Sequence, residues 1–295
     1  MKLYIADAFT EKIFGGNPAG VVLIGNGDDF PPEEIMLKTA AELRYSETAF
    51  IRQLGDNEFN IRYFTPAAEV ELCGHATIAA FECLRDAGLV HSGSICTNRT
   101  LAGDLQIIVK DDFIMMDMAS PKFIRAIDDQ KSVDKLYNIM GIRYEPVFSH
   151  SGEPLMPEII STGLPDIIMP VSSPAQLSET APDFDALSEL SKRYGVTGAH
   201  VFTLNSDKPD ITAECRNFAP LYDIDEEAAT GTASGALTYY LYRHGLIEGN
   251  TCLFLQGEAM SRPSSIRTCI DVSDGSVKIQ AGGNAAILVR GEISL

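Results

Sequence analysis

The chain has 295 residues, with 23 Lys and Arg against 41 Asp and Glu, for a formal net charge of −18 at pH 7. That excess of negative charge repels phosphate backbones and anionic lipid surfaces, which argues against a nucleic-acid or membrane partner. Hydrophobic residues at 45% supply enough apolar side chain for a buried core rather than a disordered coil, and the length predicts two domains or one large one.

In chain order, short β-rich runs come first, at Lys2–Ile5 and Gly20–Ile24. Pro32–Leu43 opens on proline with acids in its first turn, as a helix start should. Strands are predicted at Thr48–Ile51 and Phe59–Phe64, then a helix at Ala76–Ala87 closed by Gly88. Leu105–Val109 and Phe113–Met118 read as strands. A Ser-Pro step within Ala119–Pro121 marks a lobe boundary, followed by a polar connection through Lys131. Beyond it come a helix at Pro182–Tyr194, strands at Val201–Leu204 and Thr212–Phe218, a helix at Gly235–His244, and a strand at Ala285–Val289. The pattern is a strand-rich α+β chain with few helices.

The six cysteines show no C-x-x-C pair and lie beside no His cluster of zinc-ligand spacing, so no metal site is expected. Asp7 interrupts the apolar N-terminus, and no apolar run approaches the ~18–20 residues of a membrane helix. These features predict a cytoplasmic protein with reduced thiols.

An internal repeat carries more information. Arg62-Tyr63-Phe64-Thr65-Pro66 is echoed by Arg216-Asn217-Phe218-Ala219-Pro220. Shortly after each, Cys73–Gly88 aligns without gaps to Thr230–Gly245, with five of sixteen positions identical. Each copy reads as a strand ending in R-x-F-x-P, an acidic loop, and a glycine that opens a helix. A helix opening on small residues presents unsatisfied N–H groups and the positive end of its dipole. Gly74, His75 and Ala76, and Gly231, Thr232 and Ala233, would thus form two anion-binding turns. The same glycines could equally serve only close helix–strand packing.

Ionisable residues gather at these turns: Glu69, Glu71, Cys73 and His75 in the first copy, Glu226 and Glu227 in the second. Upstream, Glu47 in the run Tyr45–Phe50 enters an otherwise apolar strand, where desolvation should raise its pKa toward neutrality and suit it to general acid/base work. The remaining histidines, at 91, 150, 200 and 244, read as surface or packing residues, and the Asp pairs at 28–29, 111–112 and 128–129 as solvated turns.

The runs Asn17–Val22 (N-P-A-G-V-V), Ser46–Phe50 (S-E-T-A-F), Arg62–Thr77, Glu226–Ala233 and Gln256–Pro263 together resemble the PhzF-like phenazine-biosynthesis isomerase family. The resemblance implies the diaminopimelate-epimerase fold: two similar lobes, each a β-barrel-like sheet around a central helix, with the active site between them. It implies an N-terminal lobe of residues 1–118, rejoined by a final strand within 281–295, and a C-terminal lobe of 119–280. It further implies a homodimer with no metal or organic cofactor, acting on a small anionic substrate. By motif match, Glu47, His75 and Glu227 are the catalytic residues, and Ser46, Gly74, Ala76, Gly231 and Thr232 line the substrate. Three positions depart from the family pattern E-D-P-x-T-G-S: Glu227 for Asp, Ala228 for Pro and Thr232 for Ser. The extra methylene of Glu227 displaces its carboxylate, so the phenazine-pathway substrate does not carry over.

Two other functions compete with proton-transfer isomerisation. A two-cysteine racemase or epimerase would use Cys73 as one thiol, but the repeat partner of Cys73 is Thr230. A non-catalytic metabolite binder is the other. A Cys73–His75 nucleophile pair is disfavoured on spacing, because residues two apart at a helix start point in different directions.

Overall fold

The computed structural model describes residues 1–273 and 275–295. The chain divides into two compact units, Met1–Asp117 with Gly282–Leu295, and Met118–Ala281. Both are mixed α+β, with many strands and few helices.

The first unit runs β1 (Lys2–Ala8), β2 (Asn17–Leu23), α1 (Glu33–Leu43), β3 (Thr48–Gly55), β4 (Glu58–Phe64), β5 (Glu69–Val70), α2 (Gly74–Asp86), β6 (Ile95–Thr100), β7 (Gly103–Val109) and β8 (Ile114–Asp117). The second contains β9 (Lys122–Ala126), α3 (Gln130–Ile139), β10 (Glu158–Ser161), β11 (Pro165–Pro170), α4 (Pro174–Glu179), α5 (Phe184–Tyr194), β12 (Ala199–Thr203), β13 (Ala213–Ala219), β14 (Ile224–Glu227), α6 (Gly231–Arg243), β15 (Thr251–Gln256), β16 (Ser264–Ser273) and most of β17 (Ser276–Gly283). β18 (Ala285–Glu292) returns to the first unit and pairs antiparallel with β1.

The strands of the two units share one plan. In the first, β2 pairs parallel with β3, β3 antiparallel with β4, and β4 parallel with β6. In the second, β11 pairs parallel with β12, β12 antiparallel with β13, and β13 parallel with β15. Thr48 stands opposite Gly20 and Phe64, just as Ala199 stands opposite Ile167 and Phe218. Register therefore equates Thr48 with Ala199, and by one step back Glu47 with Gly198, where no sequence identity marks the correspondence.

The strands of each unit pack on one helix that is buried nearly all round. From His75 to Leu84, α2 hides every side chain but Glu82, and from Ala233 to Leu241, α6 hides all but Tyr239. A helix apolar on every face belongs inside, enclosed by strands, rather than on a surface. By contrast α5 is amphipathic, N-capped by Asp183 and closed by Gly195 in the left-handed conformation.

Three sequence expectations need correction. Helices α2 and α6 begin at Gly74 and Gly231, earlier than Ala76 and Gly235, because the chain turns helical immediately after extended Cys73 and Thr230. The polar connection through Lys131 is helix α3, capped by the Asp129 carboxylate on the Ser132 N–H and anchored by Val133, Leu136 and Tyr137. Strands β5, β6, β9, β10, β11 and β14 to β17 were not anticipated; the alternating burial of β15 and β16 becomes visible once a sheet face is known.

Candidate active site

The first constellation is built from β2, the start of β3 and the start of α2. The loop before β2 is fixed by the buried Asp7 carboxylate, which accepts the Phe14 N–H at 2.8 Å while Phe14 holds φ 70°. Gly16 (φ 60°) lies so near Ala8 that a Cβ would come within 2.0 Å of its carbonyl oxygen, so only glycine turns the chain here. This delivers Asn17 to within 3.2 Å of His75, its side-chain amide against Nδ1.

His75, 5% exposed, is the second residue of α2. Its Nε2 lies 3.2 Å from Ser46 Oγ and 3.2 Å from Glu47 Oε2. Cys73 Sγ is 3.4 Å from Nδ1 and 3.8 Å from Nε2. The structure thus brings Glu47, Ser46, Cys73 and His75 together, and the divergence expected of Cys73 and His75 does not occur. Cys73 sits in extended conformation (φ −139°) ahead of the helix, which folds its side chain back over the ring. Sequence reasoning missed Asn17 as a partner of His75, although the N-P-A-G run was its signal.

The electrostatics also differ from expectation. Burial pushes Glu47 upward, but hydrogen bonding to His75 and the charge of its imidazolium outweigh that, with help from Ser46 and Cys73, and hold the carboxyl below its ordinary value. Burial pushes the Cys73 thiol up to about 11, reinforced by Glu47 and opposed by His75. Burial opposes charge on His75, but Cys73 and Glu47 outweigh it and hold the imidazole well above its usual range. At neutral pH the raised thiol keeps its proton, so the charge of Cys73 falls away and Glu47 is the anion left facing the imidazole. Glu47 is therefore an ionised carboxylate, not one tuned toward neutrality.

The second constellation lies in the other unit, around β14 and the start of α6. Thr230 Oγ1 donates to Glu227 Oε2 at 2.6 Å. Gln256 binds this turn three ways: its Nε2 donates to the Glu227 carbonyl at 2.7 Å and to Thr230 Oγ1 at 3.1 Å, and its Oε1 accepts the Thr230 N–H at 3.3 Å. Gly257 (φ 80°) follows because a Cβ there would meet Arg262 O at 2.4 Å and Ala228 O at 2.6 Å. These contacts give the Q-G motif its reason, and Gln256 is a further residue that sequence reading left without a role. The Thr232 carbonyl accepts from Thr162 Oγ1 at 2.8 Å. Neither Cys73 nor Thr230 makes a conventional side-chain cap, so the turns at Gly74 and Gly231 open without one, although the Ala76 N–H faces the Cys73 sulfur.

Two of the clustered acids are structural. Glu69 is bound by the guanidinium of Arg62 through Nε and Nη2, both at 2.6 Å, and Glu226 by Arg216 through the same two atoms, both at 2.8 Å. The repeated R-x-F-x-P strands thus hold the repeated acidic loops by one bidentate ion pair per unit. Beneath the second constellation, Asp166, His200 and Asn217 share a sheet face by register and are each at most 1% exposed. Asn217 Nδ2 lies 3.3 Å from His200 Nδ1, and burial drives that imidazole down to about 3, so it is neutral.

Residues 6–291 match the family model for phenazine biosynthesis-like proteins. The chain belongs to that family. An uncharacterized isomerase of Clostridium acetobutylicum is 35% identical, covering 99% of this chain and 98% of that protein. A solved PhzF-family phenazine biosynthesis protein of Bacillus anthracis superposes with TM-score 0.85 at 26% identity, over 100% and 99% of the two chains. A probable proline racemase of Agrobacterium radiobacter superposes with TM-score 0.62 at 11% identity, over 100% of this chain and 93% of that one, a likeness of fold alone. The PhzF-like chain thus has the fold expected of it, and its relatives' names support an isomerase.

Proposed function

We propose that this PhzF-like protein is a cofactor-independent isomerase that moves a proton between carbons of a small cyclic or unsaturated carboxylic or amino acid, with Glu47 as general acid/base. The observation that carries the reading is the Glu47–His75 pair, a nearly buried carboxylate 3.2 Å from a buried imidazole. Held ionised, Glu47 takes a proton from a carbon acidified by neighbouring unsaturation and returns it to another carbon on the same face. Its lowered pKa makes it a weak base, so developing negative charge on the substrate needs stabilisation; the helix start at Gly74, with the positive end of its dipole, suits that task. His75 and Ser46 hold the carboxylate in place. Glu227, Gly231 and Thr232 are assigned to orienting the substrate's polar groups.

The racemase alternative needs a second thiol, and the repeat partner of Cys73 is Thr230, whose hydroxyl is already bound to Glu227. The reading includes a cytoplasmic homodimer, which a monomer mass in sedimentation equilibrium would overturn.

The test is a panel of unsaturated cyclic amino and carboxylic acids incubated in heavy water and followed by proton NMR. Wild type incorporates solvent deuterium at a ring carbon. Glu47→Gln keeps its circular dichroism and ligand binding but loses turnover by roughly 10²–10⁴-fold. A Gln variant exchanging at the wild-type rate would sink the Glu47 assignment, and exchange confined to Cα of saturated amino acids would favour the racemase.

A further inference from the structure

We propose that Glu47, Cys73 and His75 form a binding site for a zinc ion, and that zinc and the substrate's proton compete for the same Glu47 carboxylate. The three side chains each offer one ligand atom, and those atoms lie within 4.8 Å of one another. Thiolate, imidazole and carboxylate are the ligand set that zinc takes, at about 2.3 Å for sulfur, 2.0–2.1 Å for nitrogen and 2.0–2.2 Å for oxygen. A tetrahedral ion with those bonds sets its sulfur and nitrogen ligands about 3.6 Å apart, and nitrogen and oxygen about 3.3 Å apart. Cys73 Sγ and His75 Nε2 are 3.8 Å apart, and His75 Nε2 and Glu47 Oε2 are 3.2 Å apart. Both edges of the tetrahedron are formed to within a few tenths of an ångström without moving the backbone.

A second observation points the same way. Glu47 Oε2 is sealed from solvent, and its contact with His75 Nε2 at 3.2 Å is too poorly aligned to satisfy it fully. A buried carboxylate oxygen short of a partner is costly, and a cation supplies the missing contact. The outer shell is also in place. With its amide turned so that the oxygen faces the ring, Asn17 accepts Nδ1–H and leaves Nε2 as the ligating nitrogen. Three protein ligands leave the fourth position to water or substrate. On binding, the thiol proton and the imidazole proton pass to solvent, and zinc takes their place. Glu47 is then a ligand and cannot accept a proton from carbon, so occupancy inhibits turnover.

The three side chains suffice for this site whether or not the isomerase reading holds, so its test uses no substrate. Purified full-length protein, stripped with chelator and dialysed, is titrated with cobalt(II) as the spectroscopic stand-in for zinc. One equivalent per chain should give a near-ultraviolet sulfur-to-cobalt charge-transfer band and visible bands of a tetrahedral ion, both lost when zinc is added. Cys73→Ser should abolish the charge-transfer band, whereas Cys269→Ser keeps it. Glu47→Gln should weaken cobalt binding at least tenfold, and Asn17→Ala by about 10–100-fold, as outer-shell losses do. If wild type shows no such band, or Cys73→Ser retains it, the site is refuted. Should Cys73→Ser lose its circular dichroism, Glu47→Gln decides, and unchanged cobalt affinity there overturns the proposal.

Discussion

Glu47 and Asp166 are both carboxylates carried into apolar surroundings, and their neighbours drive them in opposite directions. Beside Glu47 stands an imidazole that shares its proton, so its ionised form survives burial. Asp166 lies in a strand with Oδ1 sealed and unbonded; burial pushes its carboxyl up to about 7, the negative charge of Glu227 adds to the rise, and a backbone hydrogen bond to Gly198 opposes it. A carboxyl raised on folding contributes stability that is fully present below its unfolded value and lost as pH rises through its folded one. Asp166→Asn, which keeps the shape without the charge, should therefore gain on wild type as pH increases. The expected difference in unfolding free energy between the two proteins grows by about 2–3 kcal/mol from pH 5 to pH 8. Urea denaturation at both pH values measures it, and a difference that does not change with pH would show that Asp166 remains ionised in the fold.

At the scale of elements, the duplicated strand–helix unit is used unequally. Both copies keep the bidentate Arg–Glu pair and the uncapped helix start, which are matters of architecture. The proposed acid/base group, Glu47, is present in one copy only. At the position equivalent to Glu47, Gly198 runs so close to β13 that a Cβ would lie 1.8 Å from Phe218 O and 2.8 Å from its carbonyl carbon. Backbone cannot yield as a flexible side chain does, so Gly198→Ala should destabilise the protein by about 1–3 kcal/mol, as overpacking does. A denaturation midpoint equal to wild type would mean that β12 and β13 separate more easily than their register implies. The second copy instead carries Glu227 at the register position that Val70 occupies in the first, opposite Asn217 rather than Tyr63.

For the molecule as a whole, the charge of −18 sets a condition on any anionic substrate. Long-range attraction cannot deliver it, so capture rests on local donors. Raising salt from about 0.01 M to 0.15 M shortens the screening length from about 30 Å to about 8 Å and weakens the general repulsion before it touches those short contacts. Affinity for the anion should therefore rise modestly over that range, measured by calorimetry with a ligand found in the exchange panel. A steep fall with salt would instead reveal a cationic binding surface. Membership of the phenazine biosynthesis-like family, over residues 6–291, fixes the fold and supports the isomerase class. It does not fix the substrate, which we propose depends on Glu227, Ala228 and Thr232, where this chain departs from the family pattern.

The sequence by itself determined what depends on local order. The strand-rich pattern, the repeated R-x-F-x-P strands and glycine-led helices, and the motifs carrying Glu47, His75 and Glu227 are all readable from residue order, because glycine, proline and alternation act over a few positions. Tertiary structure decided everything that depends on separation in space. Glu47 and His75 are far apart in the chain, and only the placement of β3 beside α2 brings them to 3.2 Å and reverses the shift that burial alone predicts. Cys73 folds back on His75 because its backbone is extended ahead of the helix, which no spacing rule reports. Asp166 and Gly198 carry no motif at all. Their surroundings come from strands β10 to β14, and a burial energy or a backbone clash exists only once those strands have met.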